Sequence, residues 1–291
     1  MSLSLSVTSC AAVSALLVVC ALHVEGTGQD SMFSEARAYE HFMGRWSRDL
    51  APLLVRFAAV RDGQTVLDVG AGTGALSTAV AAAAPASRII GIDPSGAYVA
   101  FAQAQHAKNG QLSFEVGDAQ HMRFDTASFG HTLSLLVVNF IPDARKAVSE
   151  MRRVTKPKGT VAAAVWDYGE GMEMLRVFWD EAIALQPASD KKDERHMPLC
   201  RRGELASLWR EAGLQDVVEE PLTIATRFAS FDDYWTPFLA KQGPAGAYVT
   251  SLSAEDREAL RGRLRHRLLG DGPDRPLVLH ARAWAVRGVV P

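Results

Sequence analysis

The chain has 291 residues, of which 48% are hydrophobic and 22% are charged, and its formal net charge is -2. This apolar content excludes an intrinsically disordered protein, and the length allows one large or two small domains with a substantial core. Because 31 Lys and Arg residues face 33 Asp and Glu residues, a nucleic-acid binder with a strongly basic surface is disfavoured. The three cysteines exclude a disulfide scaffold and lack zinc-finger spacing, so we predict no metal site.

Residues 1–30 differ in composition from the rest of the chain. They contain no Lys or Arg, and residues 11–24 are almost wholly apolar. This run is shorter than the roughly 20 residues that cross a bilayer, so we predict no stable membrane span. A secretory signal and a non-native extension before Met32 both remain open. Cys10 and Cys20 lie in this leader, and Cys200 as the one remaining thiol predicts a reducing, cytoplasmic compartment.

From Gln64 onward, predicted strands alternate with predicted helices. Short apolar runs predict five strands, at 65–69, 88–92, 112–116, 131–138 and 160–166. Helical segments separate them, at 75–84, from a cap at Ser95 to Ala107, and at 143–154. This alternation predicts right-handed crossovers and a parallel sheet covered by helices on both faces.

The second half of the chain is less regular. We predict helices over 201–212, 231–239 and 253–269, and strands over 215–227 and 277–286. Tyr234, Trp235 and Phe238 share one face of the second of these helices, where core packing is the default explanation and an acceptor wall or a dimer contact is the alternative.

Three glycines lie between the first strand and the first helix, in the sequence VLDVGAGTGALS at 66–77. Gly70, Gly72 and Gly74 predict a sharp turn that lets the backbone approach a ligand closely. With Asp93 about 20 residues further on, the loop also fits a dinucleotide site. An NAD-dependent oxidoreductase is therefore the first alternative.

Asp68, two positions before the first glycine, separates these interpretations by charge. In a dinucleotide site its carboxylate faces a pyrophosphate, and desolvated like charges repel each other strongly. S-adenosylmethionine carries no phosphate, and its ammonium and sulfonium groups attract a carboxylate. The alternative role for Asp68 is to accept hydrogen bonds from the loop amides.

Two further acidic residues follow the second and third predicted strands. Asp93 is suited to accept both ribose hydroxyls, and Asp118 is suited to accept from the exocyclic amine of adenine. Three acidic residues at the carboxyl ends of successive strands predict a ligand crevice. The predicted cofactor-binding residues in and around this crevice are Asp68, Gly70, Ala71, Gly72, Gly74, Asp93, Pro94, Asp118 and Ala119.

With these motifs the chain resembles the class I S-adenosylmethionine-dependent methyltransferases, and in particular the methyltransferase type 11 group. The resemblance runs from about Tyr39 to Arg227 and again at the final strand, and the matching segments are 66–74, 91–95, 117–119, 129–143 and 151–159. It implies S-adenosylmethionine as the cofactor and a branch that includes quinone and small-molecule C-methyltransferases. The implied fold is α/β, a Rossmann-like, doubly wound sheet of seven strands with the last strand antiparallel and a helical insert before it.

Composition and the resemblance together predict how the chain is divided. The leader or extension occupies 1–30, the methyltransferase core with its lid segment 31–228, a helical insert 229–270, and the final core strand 271–291. In this family the segment before the first strand often closes over the cofactor, so Tyr39 or Arg45 would meet the cofactor carboxylate. Lys158 stands where the family usually has a glycine.

An acceptor is expected at the carboxyl ends of the fourth and fifth strands. The predicted pocket there is lined by Asn139, Phe140, Trp166, Tyr168 and Met172. Packing of a helix onto the sheet explains the aromatic and methionine side chains equally well. The sequence NFIP at 139–142 departs from the Asn/Asp-Pro-Pro-aromatic signature of nucleic-acid amino-methyltransferases, so we predict a small-molecule acceptor and no nucleic acid.

Methyl transfer from a sulfonium is an in-line displacement, for which the cofactor supplies the activated group. The protein must orient the acceptor and exclude water, and a base is needed only when the acceptor loses a proton. His196 and Asp167 are the candidate bases, followed by His41, and a structural role is the alternative for each. A catalytically silent protein that binds the cofactor is the second alternative function.

Overall fold

The computed structural model describes residues 43–241 and 243–291. The predicted leader at 1–30, Tyr39 and His41 lie outside the described residues. The described helices are α1 Arg45–Phe57, α2 Ala75–Ala83, α3 Gly96–His106, α4 Ala144–Val154, α5 Glu173–Leu185, α6 Glu204–Glu211, α7 Phe231–Trp235, α8 Gly243–Ser251 and α9 Ala254–Leu269. The described strands are β1 Thr65–Val69, β2 Arg88–Asp93, β3 Leu112–Val116, β4 Phe129–Leu135, β5 Thr155–Trp166, β6 Gln215–Phe228 and β7 Leu277–Val289.

The seven strands form one sheet in the order β3-β2-β1-β4-β5-β7-β6. Neighbouring strands from β3 to β5 are parallel, whereas β7 lies between β5 and β6 and is antiparallel to both. Ala283 of β7 lies opposite Trp166 of β5 on one side and opposite Leu222 of β6 on the other. This order confirms the predicted fold, a doubly wound seven-stranded sheet with its last strand antiparallel.

Two of the helices that follow strands begin at caps that the sequence indicates. The Oγ atom of Ser95 accepts a hydrogen bond from the backbone N–H of Tyr98 at 3.3 Å. At the start of α4, Asp143 Oδ1 accepts one from the N–H of Lys146 at 2.9 Å. Each cap satisfies an N–H that has no partner within its own helix.

The region after β4 differs from the prediction of a strand over 131–138. The strand begins at Phe129 and ends at Leu135, because Leu136 adopts a left-handed conformation with a φ of +63°. A short 3-10 helix, Val138–Phe140, follows this turn. β5 likewise begins at Thr155 rather than at 160, since Thr155 pairs with Phe129.

Neither α5 nor α8 is predicted from the sequence. The apolar residues of α5 follow a helical period, and its buried side chains are Met174, Leu175, Phe178, Trp179 and Ala182. In the sequence, the Met-rich start of this segment suggested a pocket floor, although its spacing is that of a helix packed on a core. α8 begins with Gly243 and Pro244, which indicate a turn when read locally.

The segment 229–270 packs its aromatic side chains into the main core. Tyr234 and Phe238 are completely buried, and the ring of Phe238 stacks on Phe178 of α5 with 4.5 Å between centroids. The Oη atom of Tyr234 donates to the carbonyl oxygen of Met174 at 2.9 Å. Within 43–241 and 243–291, no helix combines the length and the apolar character that crossing a bilayer requires.

Candidate active site

The strand order reverses between β1 and β4, and this switch point places a crevice at the carboxyl edge of the sheet. The glycine loop follows β1 at this edge. The backbone N–H groups of Gly70 and Ala71 both donate to the carbonyl oxygen of Ile92 at the end of β2, at 2.8 and 2.9 Å. The loop is therefore anchored to the neighbouring strand before α2 begins.

Gly70 is required by both conformation and space. Its φ is +74°, in the left-handed region that glycine adopts without strain. A Cβ atom there would lie 2.5 Å from Cγ1 of Val137, which follows β4. Gly72 has a φ of +53°, but its Cβ position is open space, with no described atom within 4 Å. The loop thus packs tightly against β4 at its start and opens at its middle.

Asp68 is buried at the end of β1. Its Oδ2 atom accepts a hydrogen bond from Oγ of Ser77 in the first turn of α2, at 2.7 Å. Its Oδ1 atom is buried without a hydrogen-bond partner among the described residues. Burial raises the pKa of Asp68 to about 7, against the opposing effect of the hydrogen bonds from Ser77. A buried carboxylate oxygen without a partner is what a cationic ligand group would satisfy.

Asp93 ends β2 and holds the middle of the loop. Its Oδ2 atom accepts from the N–H of Gly72 at 3.0 Å, and its Oδ1 atom accepts from the N–H of Ser95 at 2.9 Å. Burial raises the pKa of Asp93, and these two N–H groups act in the opposite direction. Each oxygen still has a second lone pair, so the carboxylate keeps the capacity to accept from ribose hydroxyls.

Asp118 follows β3 and is exposed, unlike the other two acidic residues. Its Oδ1 atom accepts from the N–H of Gln120 at 2.8 Å, and this bond is the main reason that the pKa of Asp118 is lowered. Ala119 next to it is half-buried, whereas Pro94 after β2 is exposed. Val116 at the end of β3 has 61% of its surface exposed, and the sequence analysis missed it. Val116 is the last residue of an edge strand that ends at the crevice, and this position makes it a candidate for contact with a ligand.

On the acceptor side of the crevice, Asn139 and Phe140 lie in the 3-10 helix after β4. The side chain of Asn139 is buried, its Nδ2 atom lies 3.9 Å from Sδ of Met197, and its Oδ1 atom has no partner in the described part of the chain. The side chain of Phe140 is 53% exposed. The structure therefore brings a polar and an apolar group together beside β4.

The other predicted pocket residues lie in the core. Trp166, Tyr168 and Met172 are all buried, and Met172 forms an isolated bridge with Ala281 of β7. Packing of α5 onto the sheet accounts for the position of Met172.

The two candidate bases have different surroundings. Asp167 is buried, and its Oδ2 atom accepts from Nε of Arg282 at 2.8 Å, so its carboxylate has a structural partner. His196 is half-exposed, and its Nε2 atom lies 3.5 Å from a carboxylate oxygen of Asp190. Both residues line a cavity of about 410 Å³ at the carboxyl end of β5. A larger cavity of about 660 Å³, between Pro85 and Gln111, lies at the amino ends of β2 and β3, away from this edge.

Arg45 of α1 is engaged with the insert. Its Nη1 atom donates to Oδ1 of Asp233 at 3.1 Å, and its guanidinium lies 4.9 Å from the ring centroid of Trp46 and 5.0 Å from that of Phe228. This arrangement ties α1 to α7. In the structure, Arg45 therefore forms an ion pair with Asp233, whereas the sequence predicts a contact with the cofactor carboxylate.

Comparisons with known proteins bear on the same region. The family model of the methyltransferase domain matches residues 67–163, which include the glycine loop, Asp93 and Asp118. An uncharacterised protein of Mycobacterium tuberculosis is 34% identical over 145 residues, which are 48% of this chain and 52% of that protein. The arsenite methyltransferase of Halobacterium salinarum is 26% identical over 215 residues, 70% of this chain and 49% of that enzyme. The chain spans about half the length of these curated relatives.

The fold is shared with solved structures. A putative methyltransferase of Haloferax volcanii, solved in complex with the Trm112 methyltransferase activator, superposes with a TM-score of 0.57 at 24% identity, over 91% of this chain and 99% of that chain. The domain match over residues 67–163 confirms the predicted resemblance to S-adenosylmethionine-dependent methyltransferases, and the solved structure shows the same fold. The C-methyltransferase branch that the resemblance implies stays a prediction.

Proposed function

We propose that the protein transfers a methyl group from S-adenosylmethionine to a small-molecule acceptor. One observation carries this proposal: Asp68, the glycine loop and Asp93 converge at the carboxyl edge of β1 and β2, inside the matched methyltransferase domain. When bound there, the cofactor supplies an activated methyl group for in-line displacement. The protein itself must bind the cofactor and the acceptor, orient them and exclude water.

The described residues divide the binding task between them. The unpartnered Oδ1 atom of Asp68 offers a charge-assisted contact to the ammonium group of the cofactor. Asp93 offers the ribose hydroxyls its remaining lone pairs, and exposed Val116 and Pro94 offer apolar surface to the adenine. Asp118, Ala119 and Tyr39 stay predicted contacts of the same cofactor.

The acceptor lies on the other side of the crevice in this proposal. Phe140 offers an exposed ring, and Asn139 offers a buried amide oxygen that has no described partner. His196 is the remaining candidate to take a proton where the acceptor loses one, because Asp167 is bound by Arg282.

A small molecule is favoured over a nucleic acid by charge and by sequence. The net charge is -2, and NFIP at 139–142 departs from the nucleic-acid amino-methyltransferase signature. We also propose a cytoplasmic location, because Cys200 is the one cysteine outside the apolar leader, and a single thiol suits a reducing compartment.

The proposal is tested by calorimetry followed by a transfer assay. We expect S-adenosylhomocysteine to bind the purified protein and NADH not to bind. The protein should then move tritium from methyl-labelled cofactor to a low-molecular-weight product in an extract of its native cells. Tight NADH binding without S-adenosylhomocysteine binding would establish the oxidoreductase alternative. Cofactor binding without any labelled product would establish the silent alternative.

A further inference from the structure

The cavity at the carboxyl end of β5 is built from three parts of the chain. The loop from Asp167 to Glu170 forms one wall, and Trp284 of β7 forms another. The segment that precedes α6 closes it with His196, Arg201 and Arg202. Its volume of about 410 Å³ is in the range of pockets that hold small ligands.

This cavity lies next to the crevice of the proposed cofactor site. β5 pairs with β4 and β4 pairs with β1, through Ala164 with Leu135 and Leu133 with Asp68. Neighbouring strands are about 4.8 Å apart, and β5 extends three residues beyond the level of Val69, so the end of β5 is roughly 14 Å from the end of β1. This distance is about the length of a small metabolite. A molecule anchored in the cavity therefore reaches the crevice with its other end.

The segment over the cavity also contacts the loop after β4. Sδ of Met197 lies 3.9 Å from Nδ2 of Asn139, and Met197 directly follows His196 in the chain. The proposed acceptor residue Asn139 thus contacts the segment that covers the cavity.

The positive charges around the cavity fall into two groups. Arg282 binds Asp167 and lies 3.6 Å from Glu170, so it compensates the carboxylates of that wall. Arg195 pairs with Asp193 and with Asp180. The guanidinium groups of Arg195 and Arg282 are therefore occupied by ion pairs within the protein.

Arg201 and Arg202 form the second group. Both are exposed, and neither forms an ion pair with any residue in the described ranges. The nearby Glu204 and Glu219 accept hydrogen bonds from backbone N–H groups, of Arg201 at 3.2 Å and of Gly203 at 2.6 Å respectively. The guanidinium of Arg202 lies 6.0 Å from the ring centroid of Trp284. The cavity mouth therefore carries two guanidinium groups that have no salt-bridge partner among the described residues, beside an aromatic ring.

We propose that the acceptor is an acid whose carboxylate or phosphate group is held by Arg201 and Arg202 while its body packs against Trp284. This inference rests on the proposed function. Guanidinium groups bind both kinds of oxyanion with paired N–H donors, whereas a neutral lipid leaves both charges without a partner. The anionic group is the anchor, and the methylated atom is at the opposite end of the molecule. That atom forms a bond to the methyl carbon as the carbon–sulfur bond breaks, and sulfur keeps the electron pair.

The charge of the product tests the inference. Small molecules from native cells are incubated with the protein and methyl-tritiated cofactor, and the mixture is separated on an anion exchanger at pH 7 after the cofactor is removed. We expect the label in the retained, anionic fraction. Label in the unretained or lipid fraction would overturn the anionic acceptor while leaving the methyltransferase function intact. The absence of label from every fraction would overturn both.

Variants at the cavity mouth connect this result to the residues. The double variant R201Q/R202Q should raise KM for the labelled acid about tenfold or more, with S-adenosylhomocysteine affinity unchanged within twofold. R210Q, at an exposed arginine of α6 outside the cavity, is the matched control and should keep the wild-type KM. An unchanged KM in R201Q/R202Q would exclude these arginines as the anchor, even for an anionic product.

Discussion

The two ends of the sheet are stabilised in different ways, one by backbone conformation and the other by the packing of large side chains. Around β1 and β2 the structure depends on backbone shape, with three glycines at positive φ and a helix, α2, that is mostly alanine. Around β5 to β7 it depends on large side chains, where Phe178, Trp179, Tyr234 and Phe238 pack face to edge or face to face. The first end holds the proposed cofactor site, and the second supports the proposed acceptor site.

This difference shows that the glycine loop depends on local sequence, whereas the aromatic cluster depends on contacts between distant segments. Backbone shape at the glycine loop is set by residues that are neighbours in the chain. The aromatic cluster is assembled by contacts between distant segments, such as the hydrogen bond from Tyr234 to Met174. Substitutions at the first end should therefore act on cofactor binding as well as on stability, and those in the aromatic cluster of the second on stability alone.

The largest effect is expected from Phe178→Ala in the aromatic cluster. This ring is completely buried, and its removal leaves a cavity beside Phe238. We expect the free energy of unfolding to fall by about 3–5 kcal/mol, measured by urea denaturation. Phe140→Ala, which removes an exposed ring, is the control and should stay within about 0.5 kcal/mol. Equal losses in the two variants would show that burial in the aromatic cluster does not stabilise the second end of the sheet.

Gly70→Ala tests the backbone end. The new Cβ would lie 2.5 Å from Val137 in a left-handed conformation, so we expect a loss of about 2–4 kcal/mol in stability and at least tenfold weaker cofactor binding. Gly72→Ala meets open space and should cost only about 1–2 kcal/mol. Calorimetry with S-adenosylhomocysteine measures the binding part. A larger effect at Gly72 than at Gly70 would contradict the packing of the loop on β4.

Asp68 makes cofactor binding depend on pH. Because its pKa is raised to about 7, the carboxyl is largely protonated at pH 6 and ionised at pH 8. The ionised form attracts the cationic cofactor, so affinity for S-adenosylmethionine should rise between these pH values. Asp68→Asn should weaken binding at pH 8 by about 1.5–3 kcal/mol and abolish the rise.

Ser77→Ala is the companion to that variant. Its hydroxyl lowers the pKa of Asp68, so its removal should move the rise in affinity to higher pH without abolishing it. An affinity that is flat with pH in the wild type would show that Asp68 does not contact the charged part of the cofactor.

The smallest effect is expected at Lys158, between the two ends. This residue has a φ of +64° in the first part of β5, where the family usually has a glycine. Lys158→Gly removes the strain of the left-handed conformation and should raise the free energy of unfolding by roughly 0.5–1 kcal/mol. Lys156→Gly, at a position without positive φ, should lower it instead. The melting temperatures of the two variants, compared with that of the wild type, test this prediction. A lower melting temperature in both variants would contradict backbone strain at Lys158.

The sequence predicts most of the cofactor end. The bounds of β1 and β3 and the cap at Ser95 agree with the structure, because alternating apolar residues and glycine turns are local signals. Asp68 and Asp93 are found at strand ends for the same reason. What the sequence does not show is that the loop amide of Gly72 binds Asp93, since this depends on the folded turn.

The acceptor end is less predictable for a physical reason. Arg45 binds Asp233 across 188 positions, and Arg282 binds Asp167 across 115 positions, so no local pattern reveals either pair. The strand prediction after β4 fails at Leu136 because apolar composition does not encode a left-handed turn. Met172 is predicted at a pocket and lies in the core, since methionine suits both places.

The position of β7 inside the sheet has a consequence for biosynthesis. The strand inserts between β5 and β6, and in the described sheet β6 has no other strand neighbour. During synthesis β6 therefore leaves the ribosome before β7, the strand with which it pairs. Until β7 has left the exit tunnel, the edge of β5 keeps backbone N–H and C=O groups without partners. The nascent protein is most exposed to aggregation in this interval, and closure of the sheet is a late event in its maturation.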